Sequence, residues 1–200
     1  MSYLVPASCF QCETLVKKSR FIARVEPVED RTAVNQALAR IRGDYPDAGH
    51  HCWAYAIGRA GEAASAGSSD DGEPSGSAGK PILNVLQHSE FGDVLVVVVR
   101  YFGGIKLGVG GLVRAYGGAA QAALEGVATR RKQVLHQRLV TLDFSQEQAL
   151  RHLASELDIE VLRVDYTEAV VMHLLVPESA LGGLSRLCAA RQWLLCDEGL

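Results

Sequence analysis

The chain has 200 residues, of which 48% are hydrophobic and 22% are charged. These proportions are typical of a globular protein, and they exclude intrinsic disorder and a collagen-like or coiled-coil character over the whole chain. The net charge of −3 excludes a strongly basic surface of the kind that coats nucleic acid.

Neither a membrane span nor an export signal is predicted. The longest apolar run, residues 94–99, has the length of a strand and falls far short of the roughly 20 residues that cross a bilayer. The first residues contain no basic region followed by an apolar segment, as a secretory signal would. We therefore predict a cytoplasmic protein without membrane contacts.

The charge differs between the two parts of the chain. Residues 1–132 contain 15 basic and 13 acidic side chains, whereas residues 133–200 contain 5 basic and 10 acidic side chains. A mildly basic part joined to an acidic part indicates two domains with different surfaces. We predict one domain at residues 1–132 and a second at residues 137–200.

The periodicity of hydrophobic residues predicts the elements of the first domain. Strands are predicted at residues 9–16, 20–25, 51–57 and 94–99, and helices at residues 29–41, 80–88 and 112–129. Residues 59–79 lack any period and are mostly Gly, Ala, Ser and acidic, so this segment is predicted to be irregular and functional. Arg130, Arg131 and Lys132 are predicted to close the third helix, where basic side chains suit the helix dipole.

The second domain has the predicted element order β-α-β-β-α-β. Strands are predicted at residues 139–144, 160–166, 169–176 and 193–196, and helices at residues 145–157 and 178–191. Ser145 and Gln148 resemble a capping box at the start of the first of these helices. This order of elements predicts a ferredoxin-like second domain.

The five cysteines, an odd number, fit reduced thiols better than a disulfide framework. Cys9 and Cys12 form a C-x-x-C pair, and His50, His51 and Cys52 follow further along the chain. Four of these five side chains could in principle form a zinc site. However, positions i and i+3 of a strand face opposite sides, so Cys9 and Cys12 are expected to point apart. We predict buried thiols and neither a metal nor a cofactor.

The strongest local signal is a strand that leads into a glycine-rich turn and then a helix. Glycines let the backbone turn sharply and let a ligand approach its amides closely, and the first N–H groups of the helix favour an anion. Lys106 in the turn, with Arg100 and Arg114 beside it, adds charge and donors. The predicted anion or RNA-backbone site comprises Arg100, Gly103, Gly104, Lys106, Gly108, Gly110, Gly111 and Arg114.

This turn matches neither of two common nucleotide-binding motifs. A Walker A loop requires Lys where Val109 stands, followed by Ser or Thr. The G-x-G-x-x-G pattern requires a third glycine where Val113 stands. The alternative to an anion site is that the glycines only allow the strand and the helix to pack tightly.

Three acidic residues lie close together on the Gly- and Ser-rich segment: Asp70, Asp71 and Glu73. Clustered carboxylates can hold Mg²⁺ for phosphoryl chemistry. Alternatively, these carboxylates pair with Lys106 or Arg100 and order the loop. His50 and His51 offer a general base near neutral pH, although a histidine pair at the start of a strand is more often structural. No catalytic residue is assigned.

Four stretches of the first domain resemble the YigZ/IMPACT family. They are Lys18-Ser19-Arg20-Phe21-Ile22-Ala23, His50-His51-Cys52-Trp53-Ala54-Tyr55, Asp70-Asp71-Gly72-Glu73-Pro74-Ser75-Gly76-Ser77-Ala78-Gly79-Lys80-Pro81, and Val99-Arg100-Tyr101-Phe102-Gly103-Gly104-Ile105-Lys106-Leu107-Gly108 with Gly110-Gly111-Leu112-Val113-Arg114-Ala115-Tyr116. The resemblance implies an α+β first domain like the second domain of ribosomal protein S5. It also implies that the second domain is similar to the ferredoxin-like domains of elongation factor G. For bacterial two-domain members it implies a cytosolic protein linked to translation, with nucleic-acid binding proposed and no settled catalytic activity.

Three hypotheses of function follow. The first is a translation-linked regulator that is not an enzyme and that binds RNA or a ribosome-associated target through residues 103–114. The second is a Mg²⁺-dependent enzyme acting on a phosphorylated small molecule, with Asp70, Asp71 and Glu73 as metal ligands and Lys106 on the phosphate. The third is a protein-docking module without a ligand of its own. Neither membrane binding nor readout of a DNA sequence is expected.

Overall fold

Two compact units make up the protein in the computed structural model, which describes residues 2–59 and 63–197. One unit is Tyr3–Lys132, and the other consists of Ser2 and residues 133–197. Within these described ranges, none of the helices combines the length and the apolar character that crossing a membrane requires.

The first unit is built around a five-stranded antiparallel sheet with the order β2-β3-β6-β4-β5. A second, two-stranded sheet joins β1 to β7. The elements of this unit are β1 (Ser2–Pro6), β2 (Phe10–Val16), β3 (Ser19–Pro27), α1 (Arg31–Asp44), β4 (His50–Ile57), β5 (Ser65–Ser69), α2 (Gly79–Gln87), β6 (Val94–Tyr101), α3 (Val109–Gly126) and β7 (Thr129–Gln133).

Both faces of the large sheet are covered, because successive side chains of a strand point to opposite faces. In β6, Val94, Val96 and Val98 pack into one core, which includes side chains of α2 and α3. The intervening residues pack into a separate core with α1. This explains the continuous apolar run in β6, and it places the even-numbered Arg100 on the face that α2 and α3 cover.

The ends of α3 differ from the prediction. The helix begins at Val109 rather than at residue 112 and ends at Gly126, so Arg130, Arg131 and Lys132 lie in β7 and not in a last helical turn. A Cβ at Gly126 would collide with the ring of Phe10, and the next residue is already extended. The backbone pairing of this segment therefore outweighs the fit of its basic side chains to the helix dipole.

Part of the segment predicted to be irregular forms a strand. Ser65–Ser69 pairs with the edge of β4, with Trp53 opposite Ser69. Its small side chains have a weak strand propensity, which tertiary pairing overrides. Gly67 leaves room for the ring of Tyr55, because a Cβ atom at position 67 would clash with that ring. Residues 60–62 of the predicted segment lie outside the described residues.

The second unit confirms the ferredoxin-like order of elements. They are β8 (Leu135–Leu142), α4 (Glu147–Glu156), β9 (Glu160–Tyr166), β10 (Val170–Pro177), α5 (Glu178–Arg191) and β11 (Leu194–Asp197). The sheet is antiparallel with the order β11-β8-β10-β9, and its core includes buried side chains of both helices. The predicted capping box is wrong: Ser145 lies in a 3₁₀ turn, and no side chain caps α4.

The cysteines are all free, and their burial is mixed. Cys52 and Cys188 are buried as predicted, whereas Cys9 is exposed and donates a hydrogen bond to Glu26. Burial raises the pKa of Cys52 to about 12, so this thiol is a packing group and not a nucleophile. In residues 2–59 and 63–197, no group of three or more His, Cys, Asp or Glu side chains is arranged to hold a metal ion.

Candidate functional site

The glycine turn, residues 103–111, connects β6 to α3 and packs on the hairpin between β2 and β3. A Cβ at Gly103 would overlap the carbonyl group of Lys18, so only glycine fits this contact. The N–H of Gly103 also donates to Ser19 Oγ at 3.2 Å. The sequence left tight packing as an alternative role for the glycines. Gly103 does pack tightly, but against the hairpin and not against the helix.

Other glycines of the turn shape its backbone or begin α3. Gly104 and Gly108 have φ angles of +83° and +72°, a conformation that glycine adopts without strain. Gly108 is the N-cap of α3, and no side chain caps the helix there. Gly110 and Gly111 lie in the first helical turn. In the part of the chain that the structure describes, no side chain therefore caps the first N–H groups of α3, and the anion site expected there stays a prediction.

Four cations surround the glycine turn, and we name them the basic rim: Lys17, Lys18, Lys106 and Arg114. Lys106 belongs to the turn, Arg114 follows it on α3, and the two other lysines form the hairpin that packs on Gly103. None of the four side chains makes an ion pair or a hydrogen bond with any residue in the described ranges. The rim is therefore a patch of uncompensated positive charge.

Sequence reasoning missed Lys17 and Lys18 as site residues. Both have positive φ angles, +45° and +67°, as in the two-residue hairpin turns that favour Asn-Gly or Asp-Gly. A non-glycine side chain is strained in this region, and such strain concentrates at functional positions. The signal that could have revealed them is a Lys-Lys turn between two strands, where Asn or Gly would be expected.

Exposed hydrophobic side chains lie on or next to the glycine turn and at the start of α3, the segments that also carry Lys106 and Arg114. They are Phe102, Ile105, Val109 and Val113, which are 60%, 41%, 58% and 38% exposed. We call this apolar group and the basic rim together the turn surface. Exposed apolar patches within a polar border mark binding surfaces, and an exposed aromatic ring beside cations suits a ligand with both flat rings and negative charge.

The acidic loop, residues 70–76, is held by hydrogen bonds to its own neighbours. The Asp70 carboxylate accepts from the N–H groups of Gly76, Ala78 and Gly79 at 2.7–2.9 Å. Burial acts to raise the pKa of Asp70, but the three backbone hydrogen bonds outweigh it and lower the pKa overall. Asp70 therefore fixes the loop to the start of α2.

Asp71 fixes the other side of the loop. Its carboxylate accepts from the N–H of His51 at 2.7 Å and from Arg42 Nη2 at 3.0 Å. The His51 ring also lies near Tyr45, whose carbonyl oxygen is 3.1 Å from Nε2. Burial lowers the pKa of His51. His51 is thus a structural residue, the more frequent role for a histidine in this position.

Glu73 is the most deeply engaged of the three acids. Its Oε1 atom accepts from Arg100 Nη1 at 2.6 Å and from the Tyr116 hydroxyl at 2.7 Å. Glu73 and Arg100 are only 8% and 6% exposed, and burial raises the pKa of Tyr116. The sequence left open whether the acidic loop pairs with Arg100, and the structure shows that it does so through Glu73. Arg100 is therefore not a free cation beside the turn.

The three carboxylates do not form a metal site. Asp70 binds backbone amides, Asp71 binds β4 and Arg42, and Glu73 binds Arg100 and Tyr116. Magnesium requires carboxylate oxygens that converge on one octahedral position, and these oxygens serve separate partners instead. The alternative pairing with Lys106 is absent as well, since no carboxylate in the described ranges contacts that side chain.

A cleft of about 330 Å³ opens between the glycine turn and the acidic loop, and we call it the turn cleft. Its walls include the apolar side chains of Phe102, Leu107 and Leu112. Polar groups of His50, Glu73 and Arg100 also line it, and Lys106 lies at its border. Apolar walls with a few converging polar groups are typical of small-ligand sites.

Comparisons with known proteins match both units of the chain. The family model of the Impact N-terminal domain matches residues 17–124, and that of a domain of unknown function, DUF1949, matches residues 140–187. The chain belongs to the IMPACT family. The predicted resemblance is confirmed, and the glycine turn, the basic rim and the acidic loop all lie within the Impact N-terminal domain.

IMPACT family relatives match this chain over most of its length. The chain is 38% identical to an IMPACT family member of Haemophilus influenzae over 183 residues, which cover 92% of this chain and 89% of the relative. It is 37% identical to the IMPACT family member YigZ of Escherichia coli over 184 residues, which cover 92% and 90%. A crystal structure described as that of a hypothetical protein is similar with a TM-score of 0.71 and 34% identity, covering 99% of this chain and 98% of the other.

Proposed function

We propose that this protein is a cytoplasmic regulator of translation that binds RNA through the turn surface. The observation that carries the proposal is a largely exposed Phe102 next to the glycine turn, whose four rim cations have no partner in the described ranges. Single-stranded nucleic acids are bound by this combination, in which cations follow the phosphates and bases stack on aromatic rings. Membership of the IMPACT family supports the link with translation.

In this proposal, the affinity for RNA comes from the basic rim and not from the charge of the whole chain. With a net charge of −3, the chain as a whole does not attract RNA, so the positive potential of the basic rim has to do so. Neutralising phosphates releases bound counterions, which makes the affinity fall as salt is added. The strained Lys17–Lys18 hairpin also supports the proposal, because it keeps two cations where a turn would favour other residues.

A ribosome-associated protein is the second candidate target. The observation that favours it is the exposed aliphatic group of Ile105, Val109 and Val113, which extends beyond the single aromatic ring. Protein interfaces bury such side chains at their centre. A protein target would depend on these aliphatic residues, whereas RNA binding would depend on the basic rim.

Lys106→Ala tests the proposal, with a single-stranded RNA heptamer as probe. Losing one charge-assisted contact is expected to weaken binding by roughly 1–3 kcal/mol. The thermal midpoint should stay the same, because the Lys106 side chain has no partner to lose among the described residues. Arg130→Ala is the matched control, since Arg130 is likewise an exposed cation without a partner in residues 2–59 and 63–197 but lies on β7. Equal effects of the two substitutions on RNA affinity would refute the proposal.

A further inference from the structure

We infer that the turn cleft binds one unpaired guanine base, with its Watson–Crick edge on Glu73, Arg100 and His50 and its face on Phe102. The inference rests on the proposed RNA binding and deepens it, because it adds recognition of one base to the contacts with phosphates. It is carried by the unused hydrogen-bonding groups on the polar side of the cleft.

Glu73 supplies the first unused acceptor. Both hydrogen bonds to its carboxylate end on Oε1, from Arg100 and Tyr116. No residue in the described ranges donates to Oε2. Oε2 is therefore an acceptor that a ligand in the cleft could engage by bringing an N–H group.

His50 supplies the second acceptor. Its Nδ1 atom lies 2.9 Å from the carbonyl oxygen of Asp71. A carbonyl oxygen can only accept, so Nδ1 carries the proton and Nε2 of the neutral imidazole keeps a lone pair. Nε2 lies 3.9 Å from Glu73 Oε1, which places this acceptor next to the Glu73 carboxylate in the cleft.

Arg100 supplies the donor. Of its nitrogen atoms, Nη1 donates to Glu73, while Nε is buried without a partner, and Nη2 donates to no residue in the part of the chain that the structure describes. A buried guanidinium normally uses most of its five N–H groups. Nη2 is therefore free to donate to a ligand beside the two acceptors.

Two acceptors and one donor complement the Watson–Crick edge of guanine. That edge carries the N1–H and N2–H donors together with the O6 acceptor, whereas the same edge of adenine, cytosine or uracil offers a single donor group. Guanine is therefore the base that engages Glu73, His50 and Arg100 together. A volume of about 330 Å³ lies at the small end of the range for ligand sites, which suits one base.

Phe102 and Lys106 complete the site. Phe102 is 60% exposed, and the Arg100 guanidinium carbon lies 5.6 Å from the centre of its ring. Its uncovered surface offers a stacking platform for the base. Lys106 at the border of the cleft lies where the phosphate of the same nucleotide would meet a cation.

Competition between two RNA heptamers, UUUGUUU and UUUUUUU, tests the inference by equilibrium binding. The wild type should prefer the guanine-containing heptamer by about tenfold, the scale of one well-placed bidentate contact with a base. Equal affinities for the two heptamers would overturn the guanine assignment and leave the RNA proposal intact.

If neither heptamer binds, the RNA proposal fails. Titration with the nucleotides GMP and AMP then tests whether the turn cleft alone binds guanine. Saturation by GMP but not by AMP would uphold the guanine site, and saturation by neither would overturn it.

Glu73→Gln tests the acceptor directly. Arg100 and Tyr116 both donate to the Oε1 position, so the glutamine amide oxygen has to remain there and the NH₂ group takes the place of Oε2. This NH₂ group faces the N1–H of guanine, and the tenfold preference should disappear while UUUUUUU still binds. His50→Ala removes the second acceptor together with the hydrogen bond from Nδ1 to the Asp71 carbonyl, and it should reduce the preference without removing a buried charge. A preference that survives in both variants would overturn the inference.

Phe102→Ala tests the platform, with Phe144→Ala as the matched control. Phe144 is a comparably exposed aromatic residue, at 55%, in the second unit. Losing the stacking surface should lower the affinity for UUUGUUU about tenfold or more, whereas the control should leave it unchanged. Equal affinities of the two variants would exclude Phe102 as the platform and overturn the placement of the base.

Discussion

The acidic loop and the basic rim lie side by side, and both are charged clusters next to glycines. They differ in whether their charges have partners within the described residues. Each carboxylate of the acidic loop is held by donors within the first unit. In the basic rim, no cation has a partner in the described ranges. Satisfied charges order the protein that contains them, whereas unsatisfied ones remain available to a ligand. The comparison therefore indicates that the acidic loop orders the first unit, with Glu73 also lining the turn cleft, and it supports the binding role proposed for the basic rim.

The largest effect is expected from Glu73→Ala, which removes the partner of a buried arginine. Leaving Arg100 charged and uncompensated should lower the free energy of unfolding by about 3–5 kcal/mol. Chemical denaturation followed by circular dichroism measures the change. Glu13→Ala is a suitable control, since it breaks an ion pair with Arg20 that is exposed to solvent and therefore contributes little to stability. Similar losses in the two variants would contradict the structural role of Glu73.

Asp70→Ala should give the next largest loss of stability and leave RNA affinity unchanged. The substitution deprives the N–H groups of Gly76, Ala78 and Gly79 of their acceptor. Unsatisfied amides should lower the free energy of unfolding by about 1–3 kcal/mol. A clear loss of RNA affinity in a variant that is still folded would break the division between the two clusters.

Lys17→Asn combined with Lys18→Gly should produce a smaller effect of the opposite sign. Asn-Gly suits the positive φ angles of this hairpin, so the free energy of unfolding should rise by about 1 kcal/mol. The loss of two cations should weaken RNA binding and reduce its salt dependence by about two phosphate contacts. A gain in stability without a loss of RNA affinity would show that the hairpin is not part of the binding surface.

The smallest effect is expected in the pH dependence of the unfolding free energy that Asp70 contributes. Its pKa is lower in the folded protein than in the unfolded chain, so its contribution to stability is complete above the unfolded value of about 3.9 and is lost as the pH falls through the folded value. The difference in unfolding free energy between the wild type and Asp70→Asn should therefore shrink as the pH drops below about 4. A difference that stays constant from pH 7 to pH 3 would contradict the hydrogen bonds assigned to Asp70.

Much of the fold was accessible from the sequence, because periodic apolar residues mark elements that bury one face. The bounds of β9 and α5 agree with the prediction, and the apolar run of β6 reflects burial on both faces. The strand Ser65–Ser69 and the strand that contains Arg130 escaped prediction, since pairing with a distant partner and not their own propensity creates them.

The candidate site was only partly accessible from the sequence. The glycine turn and Lys106 could be found because a lysine among glycines after a buried strand is a local pattern. The Lys-Lys turn is also visible in the sequence, but its place beside the glycine turn is not, because only tertiary packing brings Lys18 against Gly103. The burial of Arg100 and its partnership with Glu73 also depend on contacts between residues far apart in the chain.

The salt dependence of RNA affinity tests the central role of the basic rim most directly. For a single strand, the logarithm of the association constant falls with the logarithm of salt concentration by about 0.7 per neutralised phosphate. If all four rim cations engage phosphates, the slope for the wild type should be about −3, and that of Lys106→Ala should be about −2. A slope near zero, or equal slopes for the two proteins, would contradict RNA binding through this rim.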